Sequence, residues 1–340
     1  MGTQASGFFP VFTAVHFQIF DKLAPHFHLP DETAMTYPSI KETHYHAASQ
    51  GAHHAVLVVP HGADADEFLR FFPEIRADPE LAKVWPLFLT YLEIERDGGA
   101  SELSHALAFR LASHYNIRTL VVELDYPRGL VDGGRLRDHC LRPCLPASLM
   151  AQLKDAMLSV HETTLHYMDR LYEKIEEEPS CFLIDIHTMA TYCPVDASGL
   201  KNTFPVSFPR LEAHVDQYLN AYHHAYQRKI DLICADAQGL KLADPQLLCA
   251  VQQALQSEGF VCLENEPYHA APIYLSYQHM QKVPSLSLDV PKHLIAAGGA
   301  DALRLDQLVI DPEALRSLAN CLAKGIARAF VARRAGRFQT

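Results

Sequence analysis

The chain has little of what usually declares a function at first sight. Its 340 residues include a single tryptophan, Trp85, and eight cysteines that never form a C-x-x-C pair. Most of these (Cys140, Cys144, Cys181, Cys193, Cys234, Cys249 and Cys262 among them) lie in apolar runs, which predicts reduced, buried thiols instead of a disulfide framework. No stretch reaches the roughly 18 apolar residues of a membrane-spanning helix. The N-terminal Gly7-Phe8-Phe9-Pro10 lacks a basic lead and does not read as a signal peptide, so a cytoplasmic protein without a membrane partner is expected. Positive charge is also short: the formal net charge is -11, which argues against nucleic-acid binding. It leaves room for an anionic small substrate, because one local arginine can dominate a pocket. H-E-x-x-H, Walker A and G-x-G-x-x-G patterns are all missing. A G-x-S-x-G elbow is missing too, and no cysteine sits in a distinctive turn, which leaves serine and cysteine hydrolases without support.

What is present is ordinary in bulk, with 49% hydrophobic and 20% charged residues, as in soluble globular proteins. The length suits one large α/β domain, and no repeat, low-complexity segment or linker divides it. One catalytic domain over 1–340 is expected, with its core at about 55–335. Residues 1–50 read as irregular, with room for one short strand. Histidine is the unusual residue, at 20. Many fall in unremarkable places such as His53-His54 and His223-His224, so each candidate is judged by position.

Ala55-Val56-Leu57-Val58-Val59-Pro60 reads as a buried parallel strand, ending at His61-Gly62, where glycine lets the backbone turn or approach a ligand. A helix over Ser101–His114 follows Asp97, and Arg118–Leu124 is a second strand that completes a right-handed β-α-β unit. The next loop, Asp125 to Gly134, carries Arg128 to the same edge of the sheet. A long helix spans Pro146–Glu178, with His161 and His166 as surface or flanking residues. Phe182 to Thr188 is an apolar run in which Asp185 and His187 share a face at the strand's C-terminal end, where ligand chemistry collects in open α/β sheets. Helices are further expected at Glu80–Tyr91, Glu212–Lys229, Asp244–Ser257 and Pro312–Arg334. Phe260–Leu263 and Val283–Pro291 read as strands, the second with Asp289 near its end.

Two histidines and several carboxylates at the ends of different strands suggest a metal before a triad. Catalytic zinc sites commonly use two histidines and one acid and keep a fourth position for water, whose pKa the metal lowers. A further carboxylate then moves the proton to the leaving amine. Asp185, two residues from His187, is placed to take the other ring N–H of a metal-bound histidine. The same His/His/Asp set also suits other divalent ions.

The order of motifs resembles the N-formylglutamate amidohydrolase family, a branch of the zinc carboxypeptidase and aspartoacylase type of α/β fold, over roughly Val56 to Ile295. Val59-Pro60-His61-Gly62 is similar to the family's V-P-H-S-G, and Asp97 in Asp97-Gly98-Gly99-Ala100-Ser101-Glu102-Leu103 stands where the family has an acid before a helix. Leu124-Asp125-Tyr126-Pro127-Arg128 resembles D-x-N-R, and Asp185-Ile186-His187-Thr188 resembles D-x-H-S. Asn265-Glu266-Pro267-Tyr268 resembles N-x-P-[FY], and Leu286-Ser287-Leu288-Asp289-Val290 stands at L-Q-I-E-I. The resemblance implies a single α/β domain with a mostly parallel mixed sheet flanked by helices. It implies zinc on His61, Asp97 and His187, with Asp185 orienting His187 and Asp289 as general base. Arg128 would pair with a substrate carboxylate or the developing oxyanion, and Asn265 and Tyr268 would line the substrate pocket. For the second ligand, Asp64 competes through the H-x-x-E-like spacing of His61-Gly62-Ala63-Asp64, as does Glu95.

The sequence departs from the pattern at Pro127 in place of Asn, Ala270-Ala271 in place of Gly-Gly, and Asp289 in place of Glu. The expectation is a zinc-dependent hydrolase that cleaves the amide C–N bond of a small, anionic N-acylated substrate, with an N-acyl amino acid or peptide amide as open as formylglutamate. The alternatives are a relative that keeps the fold as a binding module and a carboxypeptidase-like metallopeptidase.

Overall fold

Runs of branched apolar residues with no polar side to offer water form the centre of a seven-stranded sheet. The computed structural model describes residues 39–47, 53–178, 180–193, 206–220 and 226–337. The strands are β1 (Ile40–Tyr45), β2 (His54–Val59), β3 (Arg118–Leu124), β4 (Cys181–Met189), β5 (Tyr192–Cys193), β6 (Tyr226–Gln227), β7 (Ile230–Ile233), β8 (Cys262–Glu264) and β9 (Ser285–Pro291). The sheet runs β1-β3-β2-β4-β9-β7-β8, and β5 pairs with β6 apart from it. Its centre, β3-β2-β4-β9, is parallel. The β1 strand is an antiparallel edge on β3, and β7 turns antiparallel to β9 while β8 follows β7 in parallel. The fold is therefore an α/β one with a mixed sheet and helices on both faces. Of the expected irregular segment, 1–38 and 48–50 lie outside the described residues, and β1 occupies part of the remainder.

Leu57, Val58 and Val59 are fully buried, and each such side chain contributes about 1.5–3 kcal/mol of transfer free energy. Leu57 and Val59 face the core under the helices Ala100–Tyr115, Pro245–Ser257 and Pro312–Arg337. Val58 faces the other, under Trp85–Glu95 and Ala147–Glu177. On β4 and β9 the second face turns polar towards the C-terminal ends: Asp185 and His187 alternate with Ile184 and Ile186, and Ser287 and Asp289 with Leu286 and Leu288. That polar stripe is where the site forms.

Several elements differ from the sequence pattern. The helix expected at Glu80–Tyr91 is two pieces, Pro79–Ala82 and Trp85–Glu95, because Pro86 is tolerated only in a first turn. Of the helix expected over Glu212–Lys229, Leu211–Asn220 is helical, residues 221–225 lie outside the described residues, and Tyr226–Gln227 and Ile230–Ile233 are strands. Its single charge, Asp231, is fully buried between Ile230 and Leu232, which broke the apolar pattern that marks a strand. The expected Phe260–Leu263 strand starts two residues late, since Val261 is 57% exposed. His161 is buried, not on the surface, with Nε2 2.8 Å from the Arg135 carbonyl. Cys140, Cys144, Cys181, Cys234, Cys249, Cys262 and Cys321 are free thiols, all buried except Cys249, and among the described residues no helix is long and apolar enough to cross a membrane.

Candidate metal centre

Three strand ends and one turn deliver the site. His61 follows β2 directly, and its carbonyl accepts the Asp97 amide at 2.9 Å, while the Ala100 amide donates to the Asp97 carbonyl at 3.0 Å. The turn between two helices is thereby tied to the strand end, so Asp97 reaches His61 despite a separation of 36 positions along the chain. His187 arrives on β4. Nδ1 of His61 and Nδ1 of His187 lie 3.1 Å apart, and Asp97 Oδ2 is 3.2 Å from the first and 3.0 Å from the second. Four ligands at zinc distances of about 2.0–2.1 Å define tetrahedron edges of roughly 3.3 Å, close to this triangle. His61, Asp97 and His187 form the one group of metal-ligand geometry found among the described residues.

The far side of each imidazole supports the same reading. Nε2 of His187 is 3.1 Å from Asp185 Oδ2, which also accepts from Ser287 Oγ at 3.2 Å. Nε2 of His61 is 2.8 Å from Asp132 Oδ1. With both Nδ1 atoms turned to a metal, the Nε2 atoms would carry the protons and donate them to carboxylates, the arrangement that fixes tautomer and ring orientation; at His61 the Gly134 amide stands beside this pair, 3.0 Å from Nε2 and 3.2 Å from Asp132 Oδ1. Two imidazole nitrogens facing each other at 3.1 Å need a cation between them, a proton or a metal ion. The residues present fit a divalent metal with N, N and O donors.

Asp132 is the residue that sequence reasoning missed. The Asp132-Gly133-Gly134 turn is visible in the sequence, but nothing in it points 71 positions back to His61. The turn must be glycine: a Cβ on Gly134 would come 2.8 Å from both Cε1 and Nε2 of His61. Asp132 is held in turn by Arg135 Nε at 2.8 Å.

Burial alone would raise the pKa of each of these carboxylates. For Asp97 the opposing pull of His61, His187 and Arg128 wins and holds it well below the usual range. For Asp132 the winning groups are His61, Arg128 and Arg142, and for Asp185 they are His187 and His279. Burial would lower His187, yet Asp185 and Asp97 raise it well above its ordinary value. The field is strongly cation-seeking. Asp289, opposite His187 in the β4–β9 register, behaves differently: burial, helped by Asp97, pushes its carboxyl up to about 7. Its Oδ1 is buried and makes no hydrogen bond.

The two rival ligands are occupied elsewhere. Asp64 caps the helix Ala65–Phe71 from an exposed position, accepting the Asp66 amide. Glu95 is bound to His214 Nε2 at 2.8 Å and Arg142 Nη2 at 3.3 Å. Arg128 lines the cavity with Nη1 on Asp97 Oδ1 at 3.1 Å. Tyr268 also lines it, its hydroxyl accepting from Arg228 Nη1 at 3.1 Å. Asn265 is a correction. It does not line the cavity: at φ 57° it turns its Oδ1 back to accept the Cys234 and Ala235 amides, both at 2.9 Å. Its work is to hold the end of β7.

The fold built around this centre is similar to that of solved structures of other proteins. One is N-formylglutamate amidohydrolase from Ralstonia eutropha JMP134, with a TM-score of 0.51 and 14% identity over 87% of this chain and 98% of that one. Another is the gene product Atu2144 from Agrobacterium tumefaciens, with a TM-score of 0.52 and 13% identity over 87% of this chain and 96% of that one. No family model and no curated protein sequence matches the chain. At such identities the likeness is one of fold.

Proposed function

We propose that the protein is a metal-dependent amidohydrolase of the zinc-carboxypeptidase type, which cleaves the amide C–N bond of a small N-acylated amino acid or related amide. The observation that carries this reading is the buried His61–Asp97–His187 triangle, whose outward ring nitrogens rest on Asp132 and Asp185. His61, Asp97 and His187 would hold the ion, with zinc the best match to the donor set. A divalent ion there supplies Lewis acidity, polarising an acyl carbonyl and easing the deprotonation of water.

The remaining chemistry belongs to the chain. Asp289, with one oxygen free of hydrogen bonds, takes a proton from the attacking water and returns it to the departing amine nitrogen. Arg128, anchored on Asp97, is part of the cavity lining, where it stabilises negative charge growing on the acyl oxygen. Asp132 and Asp185 hold the two imidazoles in one tautomer, so their Nδ1 lone pairs stay aligned.

The test is metal analysis of the purified protein with amine release from a panel of N-formyl and N-acetyl amino acids. One equivalent of zinc, turnover, and loss of both in His187→Ala are expected. Asp289→Asn should keep the zinc and lose turnover by about 10²–10⁴-fold. Amidase activity that persists in metal-free His187→Ala would refute the reading.

A further inference from the structure

Of the three residues in the metal triangle, Asp97 alone stands neither on a strand nor at a strand's exit. It sits in the turn Asp97-Gly98-Gly99 between the helices Trp85–Glu95 and Ala100–Tyr115. Gly98 and Gly99 give that turn no stiffness of its own, because glycine has the most backbone freedom to lose on ordering, and Gly99 stands at φ 87°. A carboxylate oxygen that must lie 3.0–3.2 Å from two imidazole nitrogens therefore needs its backbone held from outside. Two buried side chains do this. Lys292 Nζ donates to the Arg96 carbonyl at 2.6 Å, and Thr188 Oγ1 donates to the Gly98 carbonyl at 2.9 Å. Both residues are 2% exposed.

The holds come from the exits of three neighbouring strands. The peptide group that precedes Asp97 is gripped at both ends, its N–H by the His61 carbonyl after β2 and its C=O by Lys292, which directly follows β9. Thr188, next to His187 on β4, takes the Gly98 carbonyl on the far side of Asp97. β2, β4 and β9 lie side by side in the sheet, so their ends form a frame on which the turn is suspended. A buried ammonium is a costly way to hold a carbonyl: burial lowers the Lys292 pKa, against the pull of Asp97 and Glu93. A hydrogen bond from a charged donor is also stronger than one from a hydroxyl, which makes Lys292 the firmer of the two holds.

We propose that Lys292 and Thr188 are positioning residues that aim the Asp97 carboxylate at the metal, so that the affinity of the site depends on two side chains outside the ligand set. The inference rests on the reading of His61, Asp97 and His187 as ligands. The test is the zinc Kd of the purified, folded protein by chelator competition. The visible absorption of the cobalt-substituted protein is a second readout, because its bands report the donor set and geometry. Thr188→Val keeps the shape and removes the hydroxyl, and Lys292→Met keeps the apolar stem and removes the donor. Thr188→Val should weaken zinc about 10-fold and Lys292→Met about 10–100-fold, the range for outer partners of a metal ligand. Both should alter the cobalt spectrum, and Thr188→Ser should behave as wild type. Added to Asp97→Ala, neither change should weaken zinc further, since the carboxylate they aim is gone. Thr188→Val keeps the test sound if Lys292→Met folds poorly. A wild-type Kd and cobalt spectrum in the folded single variants, or an undiminished further loss on top of Asp97→Ala, overturns this inference and leaves the ligand reading standing. A wild type that binds neither ion, or an Asp97→Ala protein that binds zinc as tightly as wild type, overturns the ligand reading as well.

Discussion

Replacing Asp132 by asparagine should weaken zinc binding without removing a single ligand. The carboxylate takes the Nε2 proton of His61 at 2.8 Å and lies 2.8 Å from Arg135 Nε. An amide of the same shape still accepts one of these donors but no longer draws the imidazole proton as a full negative charge does. It also turns an N–H₂ towards Arg135 or His61, where another donor already stands. Loss of an outer carboxylate of this kind costs about 10–100-fold in metal affinity, or roughly 1.4–2.8 kcal/mol. Competition against a chromogenic zinc chelator measures the Kd directly, with circular dichroism to confirm that the variant is folded. A folded Asp132→Asn protein whose zinc Kd stays within about twofold of wild type would refute the idea that His61 binds through Nδ1 with Nε2 anchored on Asp132.

Three other outcomes follow from the geometry. Gly134→Ala should push the His61 ring aside, since the new Cβ meets it at 2.8 Å, and zinc stoichiometry in the purified variant should drop below that of wild type. Asp64→Ala should lose only its helix cap, about 1 kcal/mol in urea unfolding, while zinc content stays at the wild-type value; zinc loss would place Asp64 at the metal. The third concerns His279, buried beside Tyr172 with the hydroxyl 2.7 Å from Nδ1. Burial lowers its pKa from 6.5 to about 4. A group depressed in the folded state favours unfolding when it is protonated, so its full stabilisation holds above about pH 6.5 and is lost as the pH falls towards 4, by up to about 3 kcal/mol. His279→Gln should flatten the decline in unfolding free energy between pH 7 and pH 4.5; equal slopes for the two proteins would count against it.

The central strands and long helices were legible because their patterns are strong. β2, β3 and β4 are apolar runs with buried faces on both sides, and Ala147–Glu177 keeps its apolar stripe for its whole length. β7 was hidden because four residues with a buried acid in the middle look like nothing in isolation. His61 and His187 could be seen at strand ends, and Asp185 shares a face with His187 by the simple alternation of a strand. Asp132 and Arg228 could not, because their meaning lies in neighbours distant along the chain: His61 for one, Tyr268 for the other. Asn265 shows the opposite failure. Its motif resembles a pocket-lining segment, but its left-handed backbone turns the amide behind the wall.

The reversal of strand direction between β9 and β7 has an evolutionary side. Segments that leave the parallel strands carry His61 and His187, whereas Arg228 sits on a segment that enters a strand, and the two kinds of segment share one rim only because β7 runs backwards. Substitutions in the lead-in to β7 can therefore reshape one side of that rim without disturbing the strand exits that carry His61 and His187.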